Sequence, residues 1–274
     1  MTNIEGSASA VCRVWNNSLI VGGLVGFMDK SSLLQICLTC KQGWLYAIAL
    51  LWSTPDITTM RNFRSFAATV GKPLPHSVGE HAHYGELVRI FDLFMLAGRW
   101  ERLGYDDVAP VFKHCTRLRK IGMNLCQHIS DISFVKLFTE NPHLSSITAL
   151  DLSELMLEDQ AIYEIIGRLP NLHRLELNET NAGYLTCCAI VDSLPNIRWL
   201  DLSDCNLMDD NCVRMLLNGC KHLTHLSVEG CFHVVDELNI AGLAVDEWTD
   251  EYDASSGYSS AEDGSPFVFF TDPL

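Results

Sequence analysis

The stretch Cys37-Leu-Thr-Cys40, inside LLQICLTCKQGW, is a CxxC. That spacing suits a redox dithiol or half of a tetrahedral zinc site. Its surroundings suit neither. Leu33, Leu34 and Leu38 place it on an amphipathic helix, no βαβ pattern adjoins it, and no second CxxC completes a zinc set. Cys37, one turn from Leu33 and Leu34, is expected in a small core. Cys126, Cys205 and Cys231 each close a recurring phrase, with no His or second Cys at ligand spacing, and read as compact buried packing residues. The ten histidines do not gather with Cys or Asp in any catalytic motif, and neither a Gly-rich phosphate loop nor GxSxG is present. The chain is therefore expected to be no enzyme and to carry no metal and no cofactor. Ser259 and Ser260 each have an acid three residues on (Glu262, Asp263), the spacing an acid-directed kinase reads.

The 274 residues, 48% apolar, suffice for one large or two small domains with a real core. A spanning helix needs an apolar run of about 18 residues or more, which is lacking. The apolar stretch SLIVGGLVGFM (18–28) lacks a small-residue cleavage site and runs straight into Asp29-Lys30, so secretion is not expected. Eleven cysteines then point to reduced thiols, in the cytoplasm, the nucleus or both. The net charge of −15 argues against nucleic acid and against an anionic membrane as partners. The remaining expectation is another protein.

What must position these residues is a repeat. ITALDLSEL (147–155), LHRLELNET (172–180), IRWLDLSDC (197–205) and LTHLSVEGC (223–231) share one frame; LRKIGMNLC (118–126) fits it and VRIFDLFML (88–96) fits it more loosely. After the phrase comes a hydrophobe-x-Asp step ending in Asp131, Asp159, Asp209 and Asp236, where Asp is a good N-cap. Helical spacing follows, as in Ile162/Ile165/Ile166 and Val213/Leu216/Leu217. Each unit is strand, turn, helix, turn, and only stacking buries its leucines. The region 87–243 resembles the cysteine-containing leucine-rich repeats. The unit at 172–196 departs from the pattern, with Thr180 for the closing Cys and NAGYL for the hydrophobe-x-Asp step, so a local irregularity is expected there.

Residues 17–57 read as short helices, with serines that can cap KSSLLQICLTCKQGWLYAIALLW. About forty residues make a poor core alone. This stretch resembles an F-box: Asp29-Lys-Ser-Ser-Leu33-Leu34, Leu38-Thr-Cys40-Lys41 and Ala47…Leu50-Leu51-Trp52 fall at that motif's spacing. It departs where Asn16-Asn17 stands for the opening Leu-Pro and where Trp44 lies one place beyond the expected aromatic. The resulting expectation is an α/β chain: leader 1–16, F-box-like helical module 17–57, linker 58–86, leucine-rich-repeat solenoid 87–243, and a disordered acidic tail 244–274. That tail carries −8 of the net charge and no Lys or Arg; its FVFF fits either a docking motif or packing on the last repeat.

What the resemblance implies is a role. F-box proteins bind a Skp-type adaptor, which links them to a cullin and a RING subunit, while the following domain holds a protein substrate for ubiquitination. The non-catalytic subunit then supplies proximity to another enzyme's thioester. The residues implied to meet the adaptor are Ile20, Leu24, Val25, Met28, Leu33, Leu34, Leu38, Cys40, Trp44, Leu51 and Trp52. The alternative is a leucine-rich scaffold or inhibitor that never meets a ligase. In either case, strand alternation turns one set of residues to the concave face: Lys120, Gly122, Asn124; Ala149, Asp151, Ser153; Arg174, Glu176, Asn178; Trp199, Asp201, Ser203; His225, Ser227, Glu229. Lys120, Asn124, Asp151, Arg174, Glu176, Trp199, Asp201, His225 and Glu229 are the candidate substrate contacts. They can equally pair among themselves, Arg174 with Glu176 or Asp151, and Trp199 with the Arg174 stem.

Overall fold

The computed structural model describes residues 26–39, 41–75 and 82–234. The chain divides at Trp52 and Ser53 into an N-terminal helical unit and a larger repeat-built unit. No helix among the described residues is long and apolar enough to cross a membrane.

In the N-terminal unit, α1 spans Lys30–Cys37 and α2 spans Lys41–Ser53, ending at the boundary. Asp29 rather than the serines caps α1, its carboxylate accepting from the Ser32 N–H at 2.6 Å. Leu33, Ile36 and Ala47 form the centre of a small core, with Met28, Cys37, Tyr46, Leu50 and Leu51 packed against it. A core this small contributes little stability alone.

The second unit begins before the first repeat phrase. Residues 58–86, expected as a linker, carry α3 (Met60–Val70), capped by Thr59, whose hydroxyl accepts from the Asn62 N–H at 3.2 Å. Phe63, Phe66 and Val70, at helical spacing, are buried. Phe63 and Phe66 stack on Phe91 with centroids 6.3 Å apart, and Phe91 meets Phe112 edge-on. The exposed apolar end of a solenoid needs a cap; α3 is that cap, which is why the stretch orders instead of linking.

Six short strands follow: β1 (Ile90–Asp92), β2 (Lys120–Gly122), β3 (Ala149–Asp151), β4 (Arg174–Glu176), β5 (Trp199–Asp201) and β6 (His225–Ser227). They form one parallel sheet in sequential order, each residue paired with its counterpart in the next repeat. The helices between them are α4 (Arg99–Arg102), α5 (Tyr105–His114), α6 (Asp131–Glu140), α7 (Asp159–Ile166), α8 (Tyr184–Ser193) and α9 (Asp210–Gly219). The middle residues of the strands, Phe91, Ile121, Leu150, Leu175, Leu200 and Leu226, all point into the core. This is the solenoid of strand–helix units expected from the repeats.

The phrase-ending cysteines sit in one buried layer and hydrogen-bond backward. Cys205 Sγ donates to the Leu177 carbonyl and Cys231 Sγ to the Leu202 carbonyl, both at 3.1 Å and both one repeat back. Thr180 fits this layer without irregularity: its hydroxyl donates to the same Leu177 carbonyl at 2.6 Å and lies 3.6 Å from Cys205 Sγ. Just before this position the chain turns through the left-handed region, at Leu125, Glu154, Glu179, Asp204 and Gly230. A side chain there costs roughly 1 kcal/mol of backbone strain, which only the repeat at Gly230 avoids.

The hydrophobe-x-Asp step works differently from the expected N-cap in two of its copies. Asp209 does cap α9, accepting from the Cys212 N–H at 2.9 Å. Asp131 and Asp159 are instead the first residues of α6 and α7, behind Ser130 and Glu158. Their carboxylates reach forward: Asp131 accepts from the Glu158 N–H at 2.8 Å, and Asp159 accepts from the Gly183, Leu185 and Thr186 N–H groups at the start of α8. The cap that NAGYL lacks is supplied by the preceding repeat. Asp236 and the 244–274 tail lie outside the described residues, as do Ser259 and Ser260.

Candidate functional site

The concave face is built by strand alternation. With the middle residue of each strand buried, the flanking ones turn outward, and the one-to-one register lines them up in rows. The first row reads Ile90, Lys120, Ala149, Arg174, Trp199, His225; the second reads Asp92, Gly122, Asp151, Glu176, Asp201, Ser227. The frame of the loosely matching first repeat puts Asp92 in the carboxylate row, although it was absent from the expected contacts.

Much of this face is internally paired. Lys120 Nζ lies 3.1 Å from Asp92 Oδ2, and Arg174 Nε lies 2.7 Å from Glu176 Oε1, so Arg174 takes Glu176 and leaves Asp151. The Arg174 guanidinium also lies 4.6 Å from the Trp199 ring centroid, and Trp199 stacks on His225 at 3.5 Å and 11°. These three side chains form one continuous planar shelf over β4–β6. The Asp201 carboxylate accepts from both the N–H and the hydroxyl of Ser203, at 3.0 and 2.7 Å. Glu229 is exposed at the end of the face.

Asp151 is the exception. Its carboxylate accepts from the Ser153 N–H at 2.9 Å and meets no cation within ion-pair distance among the described residues. Desolvation, followed by repulsion from Glu176, pushes its carboxyl up to about 6. Beside it Asn124, expected as a surface contact, is buried, its backbone carbonyl accepting from Arg99 Nε at 2.9 Å. Arg99, itself buried on α4, was not legible as part of this site because no repeat position calls for it.

The expected adaptor contacts separate into two sets. Leu33 is core, and Met28 and Leu51 pack against it, while Trp44 and Trp52 are half-buried. Leu34 and Leu38, four residues apart, face outward at 54% and 81% exposure, with Phe27, not among the expected contacts, also exposed. Cys37 belongs to the packed face, where desolvation raises its thiol pKa, opposite to the shift a reactive dithiol needs. Ile20, Leu24, Val25 and Cys40 lie outside the described residues.

No family model matches the chain. It is 26% identical over 206 residues to the Drosophila melanogaster protein zer-1 homolog, a match covering 70% of this chain and 24% of that protein. The chain thus spans about a quarter of that relative's length. Among solved structures it is similar to an internalin from Listeria monocytogenes (TM-score 0.31, 18% identity, 50% of this chain and 48% of that one). It is also similar to a chain of the yeast Rad7–Elc1 complex (TM-score 0.26, 13% identity, 89% of this chain and 98% of that one).

Proposed function

We propose that this chain is a non-catalytic substrate-recognition subunit of a ubiquitin ligase, working in the cytoplasm, the nucleus or both. Its N-terminal unit docks a Skp-type adaptor, and through it a cullin and RING subunit, while the concave face of the repeats holds a protein substrate. The observation that carries the reading is the division of labour along α1 and its C-cap Leu38. Leu33 and Ile36 turn inward to the unit's core, and Leu34 and Leu38 stand one turn apart on the outside. Large apolar residues grouped on one exposed helix face mark an interaction surface. The F-box resemblance of the same segment gives that surface an adaptor as its occupant. The concave face, with paired charges and the Arg174–Trp199–His225 shelf, has the composition of a protein-binding site, where Arg and Trp are favoured anchors.

The test is retention of a purified Skp-type adaptor on the immobilised intact chain, against Leu34→Asp plus Leu38→Asp. Both residues are exposed, so the double variant is expected to fold with an unchanged unfolding curve and to lose the adaptor by at least about a hundredfold, from two lost hot-spot contacts. An intact chain that retains no adaptor would favour the ligase-independent scaffold instead.

A further inference from the structure

Asp151, like Asp201 further along the concave face, meets no cation within ion-pair distance among the described residues. Asp151 lies between two neutralised neighbours, Asp92 with Lys120 at 3.1 Å and Glu176 with Arg174 at 2.7 Å. In the strands carrying those cations, the basic residue stands at the first outward position. In β3 that position is Ala149, whose methyl cannot reach across. The row therefore holds a gap in its positive charges directly over a carboxylate.

Two further acceptors accompany it. Asn124 and Ser153 occupy the next outward position after β2 and β3, on the same face as Asp151 by strand alternation. They are 3% and 4% exposed. Asn124 Oδ1 and Ser153 Oγ are buried and have no hydrogen-bond partner among the described residues. Native proteins satisfy nearly all such groups, so an unmatched pair beside an unpaired carboxylate needs a reason. The fold knows how to satisfy this position. Two repeats later, Ser203 spends its hydroxyl on Asp201 at 2.7 Å and lies 2.6 Å from the Ser227 hydroxyl. Beside Asp151, the Ser153 hydroxyl makes no hydrogen bond of that kind among the described residues.

We propose that the slot at Asp151 receives the side-chain ammonium of a lysine presented by the protein substrate, an assignment that rests on the reading of this face as a substrate site. A primary ammonium brings three N–H donors and one positive charge. The Asp151 carboxylate, the Ser153 hydroxyl and Asn124 Oδ1 can each accept a hydrogen bond, and the row of Asp92, Lys120, Asp151, Arg174 and Glu176 carries one more negative than positive charge. Ala149 places only a methyl at the first outward position of β3, and the Trp199 ring of the Arg174–Trp199 shelf on the following strands offers apolar surface to the rest of the bound segment.

The experiment uses the immobilised full chain and pools of short peptides with degenerate flanks free of Lys and Arg. One pool has a central Lys, with the N-terminus acetylated; a second has acetyl-Lys there; a third has no Lys and a free N-terminus. The Lys pool is expected to be retained at least about tenfold better than the acetyl-Lys pool. That preference is expected to vanish on Asp151→Asn and to survive on Asp192→Asn, which changes an exposed carboxylate of α8 away from the concave face. Equal retention of the Lys and acetyl-Lys pools, an undiminished preference on Asp151→Asn, or retention of the free-N-terminus pool in place of the Lys pool would each overturn the assignment. None of these outcomes bears on adaptor binding, which is read separately with the Leu34 and Leu38 variant.

Discussion

Asp151→Asn is expected to stabilise the solenoid by about 2–3 kcal/mol at pH 8 and by well under about 1 kcal/mol at pH 4. Most substitutions of a half-buried polar residue destabilise. This one goes the other way because the native carboxylate is poorly accommodated. Burial first, then the neighbouring charges of Glu176 and Asp92, hold its carboxyl at about 6, above the ordinary 3.8. The Ser153 N–H works in the opposite direction and does not compensate. A folded pKa above the unfolded one means that the folded state prefers the protonated form. Below about pH 4 both states are protonated and the aspartate costs almost nothing. The cost grows as pH rises from about 4 to about 6 and is complete above that. Asparagine keeps the oxygen that accepts from Ser153, removes the charge, and adds an N–H₂ where acceptors outnumber donors. Urea unfolding at the two pH values measures the difference. An equal effect at both, or a loss at pH 8, would mean that the carboxylate is not the strained group. The variant that gains stability is also the one expected to lose lysine recognition, the exchange of stability for function seen at binding sites.

Asp159→Ala should do the reverse, removing about 3–4 kcal/mol. One carboxylate holds the start of α8 from the neighbouring repeat. Oδ1 accepts from the Gly183 and Thr186 N–H groups at 2.9 Å and from the Thr186 hydroxyl at 2.6 Å, and Oδ2 accepts from the Leu185 N–H at 2.9 Å. The helix has no side-chain cap of its own, since its N-cap is Gly183. Thr186 is fully buried, so its hydroxyl would be left without an acceptor as well. A half-buried cap such as Asp209, which holds one backbone N–H of its own helix, is worth about 1 kcal/mol. The comparison is therefore internal: Asp159→Ala is expected to shift the urea midpoint two to three times as far as Asp209→Ala. Equal shifts would show that the repeats do not depend on this link.

The repeat architecture was legible because its signal is redundant. Phrases such as ALDLS, RLELN and WLDLS put a leucine at every core position and alternate it with polar residues, which specifies both the strand and the face it presents. The rows of the concave face follow from that alternation and from the one-to-one register. What was not legible depends on contacts distant in sequence. The spacing of Phe63, Phe66 and Val70 marks a helix, but only the exposed end of the first repeat makes it a cap. The reach of Asp159 to α8 crosses 24 residues or more, and no local motif announces it. Arg99, which belongs to no repeat position, reaches the Asn124 backbone carbonyl across 25 residues. On α1, Leu33 and Leu34 are adjacent and chemically identical; packing against α2 decides which one faces outward.

The central claim is that two separate surfaces of one chain serve a ligase adaptor and a substrate. Quantitative affinity capture of the tagged chain from cells treated with a proteasome inhibitor tests it most directly. Three forms are compared: intact, Leu34→Asp plus Leu38→Asp, and Arg174→Ala plus Trp199→Ala. The account predicts reciprocal losses. The first variant drops the Skp-type adaptor and the cullin while keeping other captured proteins, and the second keeps the adaptor and cullin while dropping a subset of the rest. An intact chain that captures no adaptor, or two variants that lose the same proteins, would contradict it.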